Sequence, residues 1–155
     1  MTNSATELLP QTPVSPPDAG RWAPLWVTLF VALWPAPGLA ETVLSLGALF
    51  AAYSLLHVRL HGGTRLLSSA AWALTGMLFL AYWLPQMLSA FDAVDVGRAL
   101  RKSATDLRYL PFMWLCAIAV ANARRRHRTF TGLAMIVGVW TLDALLQAVL
   151  GTSPL

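Results

Sequence analysis

From Trp22 onward the chain is a succession of apolar runs separated by short hinges that hold nearly all of its charge. A helix rises 1.5 Å per residue, so roughly 20 apolar residues cross the ~30 Å hydrocarbon layer of a bilayer. Several of the runs meet or approach that length. Only 12% of the 155 residues are charged and 57% are apolar, whereas an ordinary soluble domain carries about 25% charged residues. A water-soluble core does not account for that deficit, and a bilayer does. The expected fold is all-α: a polytopic transmembrane helical bundle of about five spans, with its N-terminus inside.

The formal net charge of +4 would suit a nucleic-acid partner. The basic residues, however, sit beside apolar spans, where they fix topology. Membrane lipids are therefore the expected partners, and nucleic acid is not. A single cysteine, Cys116, rules out an internal disulfide and lies in an apolar span, where it reads as a small hydrophobe.

Residues 1–20 mix Pro, Ser and Thr with two acids and have no basic residue before Arg21. They read as a disordered tail and lack the positive n-region of a secretory signal. Five spans follow, at about 22–37, 42–60, 68–90, 107–123 and 130–150. The first two are divided by Pro35-Ala36-Pro37-Gly38, because proline removes a helix donor and clashes with the preceding turn. The first arm is short, and either kinks, tilts little or re-enters. The hinges His57–Arg65 and Ala123–Arg128 hold six of the eleven Lys and Arg residues. Five crossings put both hinges on the face of Arg21, and the positive-inside rule makes that face the cytoplasm. The 36–41 hairpin, segment 91–106 and the C-terminus then lie outside, against the pull of three basic residues in 91–106.

In that outward segment Val96, Leu100, Ala104 and Leu107 recur at helical spacing, while Arg98, Arg101, Lys102, Thr105 and Arg108 fall largely on another face. The pattern predicts an amphipathic helix over about 95–106 lying on the membrane, with Asp95 capping its start. Arg98, Arg101, Lys102 and Arg108 would present a compact positive surface to a lipid phosphate. The alternative is that they touch ordinary headgroups or neutralise Asp92, Asp95 and Asp106. Asp143 lies well inside a span, with Gln147 one turn on and Trp140 one turn back. The shared face belongs in a bundle interior, where Asp143 either pairs with an Arg, holds a polar substrate group, or reaches water near the outer end.

His57 and His61 stand one turn apart, as zinc ligands on a helix do, but lack the Glu and third ligand of a metalloprotease site. No glycine-rich phosphate loop, Gly-x-Ser-x-Gly elbow or Cys-x-x-Cys pair occurs, so neither metal nor cofactor is expected and catalytic residues are unknown.

Three stretches resemble the early part of the O-antigen ligase and polymerase family: Arg98 to Arg108 leading into Leu107-Arg-Tyr-Leu-Pro-Phe112, the Ala123–Arg128 hinge, and Asp143-Ala-Leu-Leu-Gln147-Ala-Val-Leu-Gly151. The resemblance covers about residues 68–155. It implies a multi-pass protein of the bacterial inner membrane, active in polysaccharide and lipopolysaccharide biosynthesis on glycans linked to undecaprenyl pyrophosphate. It also implies an N-terminal portion without the outward catalytic loop, inactive alone, in which the four cations help hold the carrier pyrophosphate. The competing expectation is a small non-enzymatic helical membrane protein, a transporter accessory or assembly subunit, in which the same residues anchor and pack.

Overall fold

A computed structural model of the chain describes residues 20–61 and 65–150. The N-terminal tail, the Gly62–Thr64 turn and Gly151 of the Gln147-x-x-x-Gly151 element lie outside the described residues. The described residues form six α-helices, α1 (Ala23–Ala32), α2 (Pro37–Leu60), α3 (Ser69–Ser89), α4 (Val96–Asp106), α5 (Tyr109–Val120) and α6 (Ala123–Leu150), with a 3-10 turn over Ala90–Asp92. No strand occurs among the described residues, and the all-α bundle expected from the apolar runs is what forms.

Prolines and caps set the boundaries. Pro37 opens α2 at its first turn, where a missing N–H loses no hydrogen bond. The turn between α1 and α2 is therefore confined to 33–36, and α2 begins five residues before the expected span at 42. Pro111 cannot donate to the carbonyl four residues back, so α4 and α5 are separate helices hinged at Leu107-Arg108. Asn122 accepts from the Arg125 amide at 2.8 Å and starts α6, which makes the Arg124–Arg128 cluster the first turns of a helix and moves the hinge back to 121–122.

Two of the five spans are consequently shorter than drawn from the sequence. Helix α1 has 10 residues and α5 has 12, about 15 and 18 Å of rise against ~30 Å of hydrocarbon. Three helical stretches, Gly38–Leu60, Ser69–Asp92 and Ala123–Leu150, are long and apolar enough to cross a membrane.

Side-chain contacts give the direction of each pass. Arg108 meets Glu41 and Ser45, and Phe112 and Leu115 lie over Gly47, so α2 and α5 run parallel. Tyr82 meets Tyr109 at 6.2 Å between ring centres and Trp72 meets Trp114 at 4.5 Å, so α3 opposes α5. Phe30 packs on Phe112 at 4.9 Å, and Gly20 lies by Ile118 and Arg125 while Thr28 faces Gly132. Helix α1 thus opposes α5 and runs alongside α6. The 33–36 turn, segment 90–108 and Glu41 share one end, hereafter the Glu41 end. The α2–α3 connection, 121–122 and Arg124–Arg128 share the other, the arginine end.

Helix α5 is apolar on every side and lies among α1, α2, α3 and α6, as such a helix must. Leu115, Ile118 and Ala119 are buried to within 1% of completeness. Helix α2 faces it with Leu44 and with the small residues Gly47, Ala48 and Ala51, which let the backbones close. The periphery is apolar: Leu49 is 68% exposed, Met77 71% and Val149 81%. Several buried side chains are polar instead, among them Ser54, Thr75, Ser103, Asp106 and Thr129. That distribution suits lipid and opposes water.

Candidate functional site: the polar cluster at the Glu41 end

Four helices bring their polar side chains together at the Glu41 end. Arg108, from the α4–α5 hinge, makes an ion pair with Glu41 on α2 and donates to Ser45 Oγ at 3.1 Å. Gln86 on α3 donates to Asp106 Oδ2 on α4 at 2.7 Å, and the Trp83 indole N–H donates to the Ser103 carbonyl at 2.8 Å. Tyr109 packs edge-on against Tyr82, and the Arg108 guanidinium lies 5.8 Å from the Tyr109 ring centre. Ser103 Oγ and Arg108 Nε are buried without a hydrogen-bond partner. The cluster holds one cation against two carboxylates, in positions where each finds a donor.

The expected four-cation surface is divided by this arrangement. Arg98, Arg101 and Lys102 are exposed on α4, whereas Arg108 is half-buried and turned into the bundle. The inward face of α4 also differs from its apolar stripe. Ser103 and Asp106 are buried, while Val96 is 38% and Leu107 46% exposed. Hydrogen bonds to Trp83 and Gln86 select the polar face for the interior, which leaves Val96, Leu107 and the neighbouring Phe91 and Val94 outward. Asp95 caps α4 as expected, accepting from the Arg98 amide at 2.9 Å.

Asp143 and Gln147 meet on α6, the amide donating to the carboxylate at 2.7 Å. Helix α1 ends four residues beyond the Thr28–Gly132 contact, while α6 continues to Leu150. Eighteen further residues carry α6 about 27 Å past that contact.

His57 and His61 stack on each other with ring centres 4.2 Å apart, and Nδ1 of His61 lies 3.0 Å from the His57 carbonyl. Among the described residues, no three His, Cys, Asp or Glu side chains stand close enough to hold a metal ion. Cys116 is a half-buried free thiol against the core.

Sequence reasoning used Glu41 only as a break between spans and did not consider Gln86. The signal was present: in an alternating topology Glu41, Gln86, Asp106 and Arg108 fall at one end, and groups of complementary chemistry at one end of a bundle pair.

Fold and cluster together define a class, the helical membrane proteins whose polar groups bond to one another inside an apolar exterior. Comparison with family models, with curated proteins and with solved structures found no match to this chain. The likeness to O-antigen ligases therefore rests on the three sequence stretches alone.

Proposed function

We propose that the chain is a multi-pass subunit of the bacterial inner membrane, arginine end toward the cytoplasm, that presents the distal half of α6 to a further transmembrane helix. This is the assembly-subunit reading. The observation that carries it is the reach of α6 beyond the bundle together with its Asp143–Gln147 pair. A carboxylate and an amide in a span are expensive against lipid and serve to bond helix to helix. At the Glu41 end, by comparison, the charged groups bond between helices of the chain itself, Arg108 to Glu41 and Asp106 to Gln86.

A photo-crosslinking residue placed along α6 in living cells tests this. Crosslinks to another protein from positions 140 and 147, with only lipid adducts from 145 and 149, are expected, since the first two share the face of Asp143. Lipid adducts from all four positions would refute it.

The exposed Arg98, Arg101 and Lys102, flanked by outward Val94 and Val96, favour a second reading in which α4 lies in the headgroup layer and binds a carrier pyrophosphate, as the ligase resemblance implies. Nanodiscs containing undecaprenyl pyrophosphate decide it: the parent should outbind a variant with all three cations changed to Gln, and equal binding would remove the idea.

A further inference from the structure

We infer that the arginine end holds a site for one phosphate-bearing lipid, clasped between Arg59 and Arg65. It rests on the membrane placement proposed above and on a feature that neither the polar cluster nor α6 involves. A pocket of about 730 Å³ opens between the last turns of α2, segment 65–67 and the first turn of α3. That volume falls within the range of ligand sites, about 300–1,000 Å³. Leu55, Leu56, Leu66 and Trp72 supply apolar walls, and Arg59 and Arg65 line it from the two sides of the connection. Among the described residues, no carboxylate lines the pocket. The one salt bridge among the described residues is that of Arg108 with Glu41, at the other end of the bundle. Two cationic residues therefore line a pocket with no counter-charge among its described lining.

The location identifies the anion. Arg59 belongs to the last turn of one candidate span, and Trp72 lies in the first turn of the next. The pocket thus sits where headgroups meet acyl chains. Trp72 is half-exposed and rests on Trp114, the placing of an interfacial tryptophan. Guanidinium forks match phosphate oxygens bidentately, and basic pockets between spans on the cytoplasmic side suit anionic headgroups. Leu55, Leu56 and Trp72 then receive the glycerol and upper chain. A soluble phosphate would meet the same arginines but leave those walls wet, so a lipid is the better fit.

Native mass spectrometry of the chain released from mixed phosphatidylglycerol and phosphatidylcholine nanodiscs tests the site. The parent should retain one phosphatidylglycerol, about tenfold or more in preference to phosphatidylcholine. An Arg59→Gln/Arg65→Gln double variant should lose the preference, while an Arg126→Gln/Arg128→Gln control, with the same loss of charge, should keep it. Equal retention of both lipids by the parent, or an unchanged preference in the double variant, would overturn the proposal. Displacement of the lipid by millimolar glycerol 3-phosphate would also overturn it and point to a soluble anion. Alkaline washing of membranes reads the underlying placement separately: a double variant that stays in the pellet but loses its lipid bears on the site alone, and a parent chain released into the supernatant refutes the membrane reading itself.

Discussion

Gln86 donates to Asp106 where the carboxylate is 7% exposed, so the amide is what makes that burial tolerable. Removing one partner of a buried hydrogen bond leaves the other desolvated, a loss of about 1–3 kcal/mol, whereas replacing both by apolar groups is close to neutral. Gln86→Leu should therefore lower unfolding stability in detergent by that order, and Gln86→Leu/Asp106→Leu should recover most of it. A double variant as unstable as the sum of its singles would show that the two groups do not act as a pair. The Glu41–Arg108 pair is more exposed, 49% and 27%, and half-solvated ion pairs contribute little. A cycle of Glu41→Gln and Arg108→Gln should return a coupling of no more than about 1 kcal/mol, measured by thermal unfolding in the same detergent.

Between elements, contacts rather than composition decide what faces what. Apolar spacing alone assigned Val96, Leu100, Ala104 and Leu107 to one face of α4 and correctly placed a helix capped by Asp95. It did not reveal which face turns inward, because Trp83 and Gln86 lie on another helix and their hydrogen bonds outweigh a weak apolar stripe. The same limit hid the shortness of α5: Leu107 and Ala121 extend its apolar run at both ends, and only the Arg108–Glu41 bond and the Asn122 cap of α6 show where it is bounded. The basic hinges, the Pro-rich turn and the long apolar runs of α2, α3 and α6 were legible, since length, proline and charge act locally. Helix α1 meets α6 at Gly132, where an added Cβ would lie 2.5 Å from Thr28 Cγ2. Thr28 cannot easily yield, its hydroxyl donating to the Pro24 and Leu25 carbonyls at 2.9 and 3.0 Å. Gly132→Leu should push the two helices apart and destabilise the bundle by about 1–3 kcal/mol, whereas Gly138→Leu, with nothing within 4 Å, should be neutral. Comparable unfolding of the two variants would mean that α1 and α6 are not in close contact. Loss of the α4 cap in Asp95→Ala should remove about 1 kcal/mol locally, seen as faster amide exchange at Gly97 and Arg98 with the α5 amides unchanged.

The whole molecule is a bundle with polar bonds within, leucines and valines without, and most of its arginines at one end. Arg59, Arg65 and Arg124–Arg128 come from separate stretches of sequence, and the alternating passes bring them together. In the proposed membrane placement such a concentration would hold its end in the cytoplasm, because cationic segments resist translocation. Single cysteines in a Cys116→Ala background, one replacing Val94 at the Glu41 end and one replacing Arg126 at the arginine end, measure this orientation in intact cells with a membrane-impermeant maleimide. An embedded bundle of alternating passes predicts labelling of the residue-94 cysteine in intact cells and of the residue-126 cysteine only after the membrane is opened. Labelling of both positions from outside, or of residue 126 alone, would contradict it.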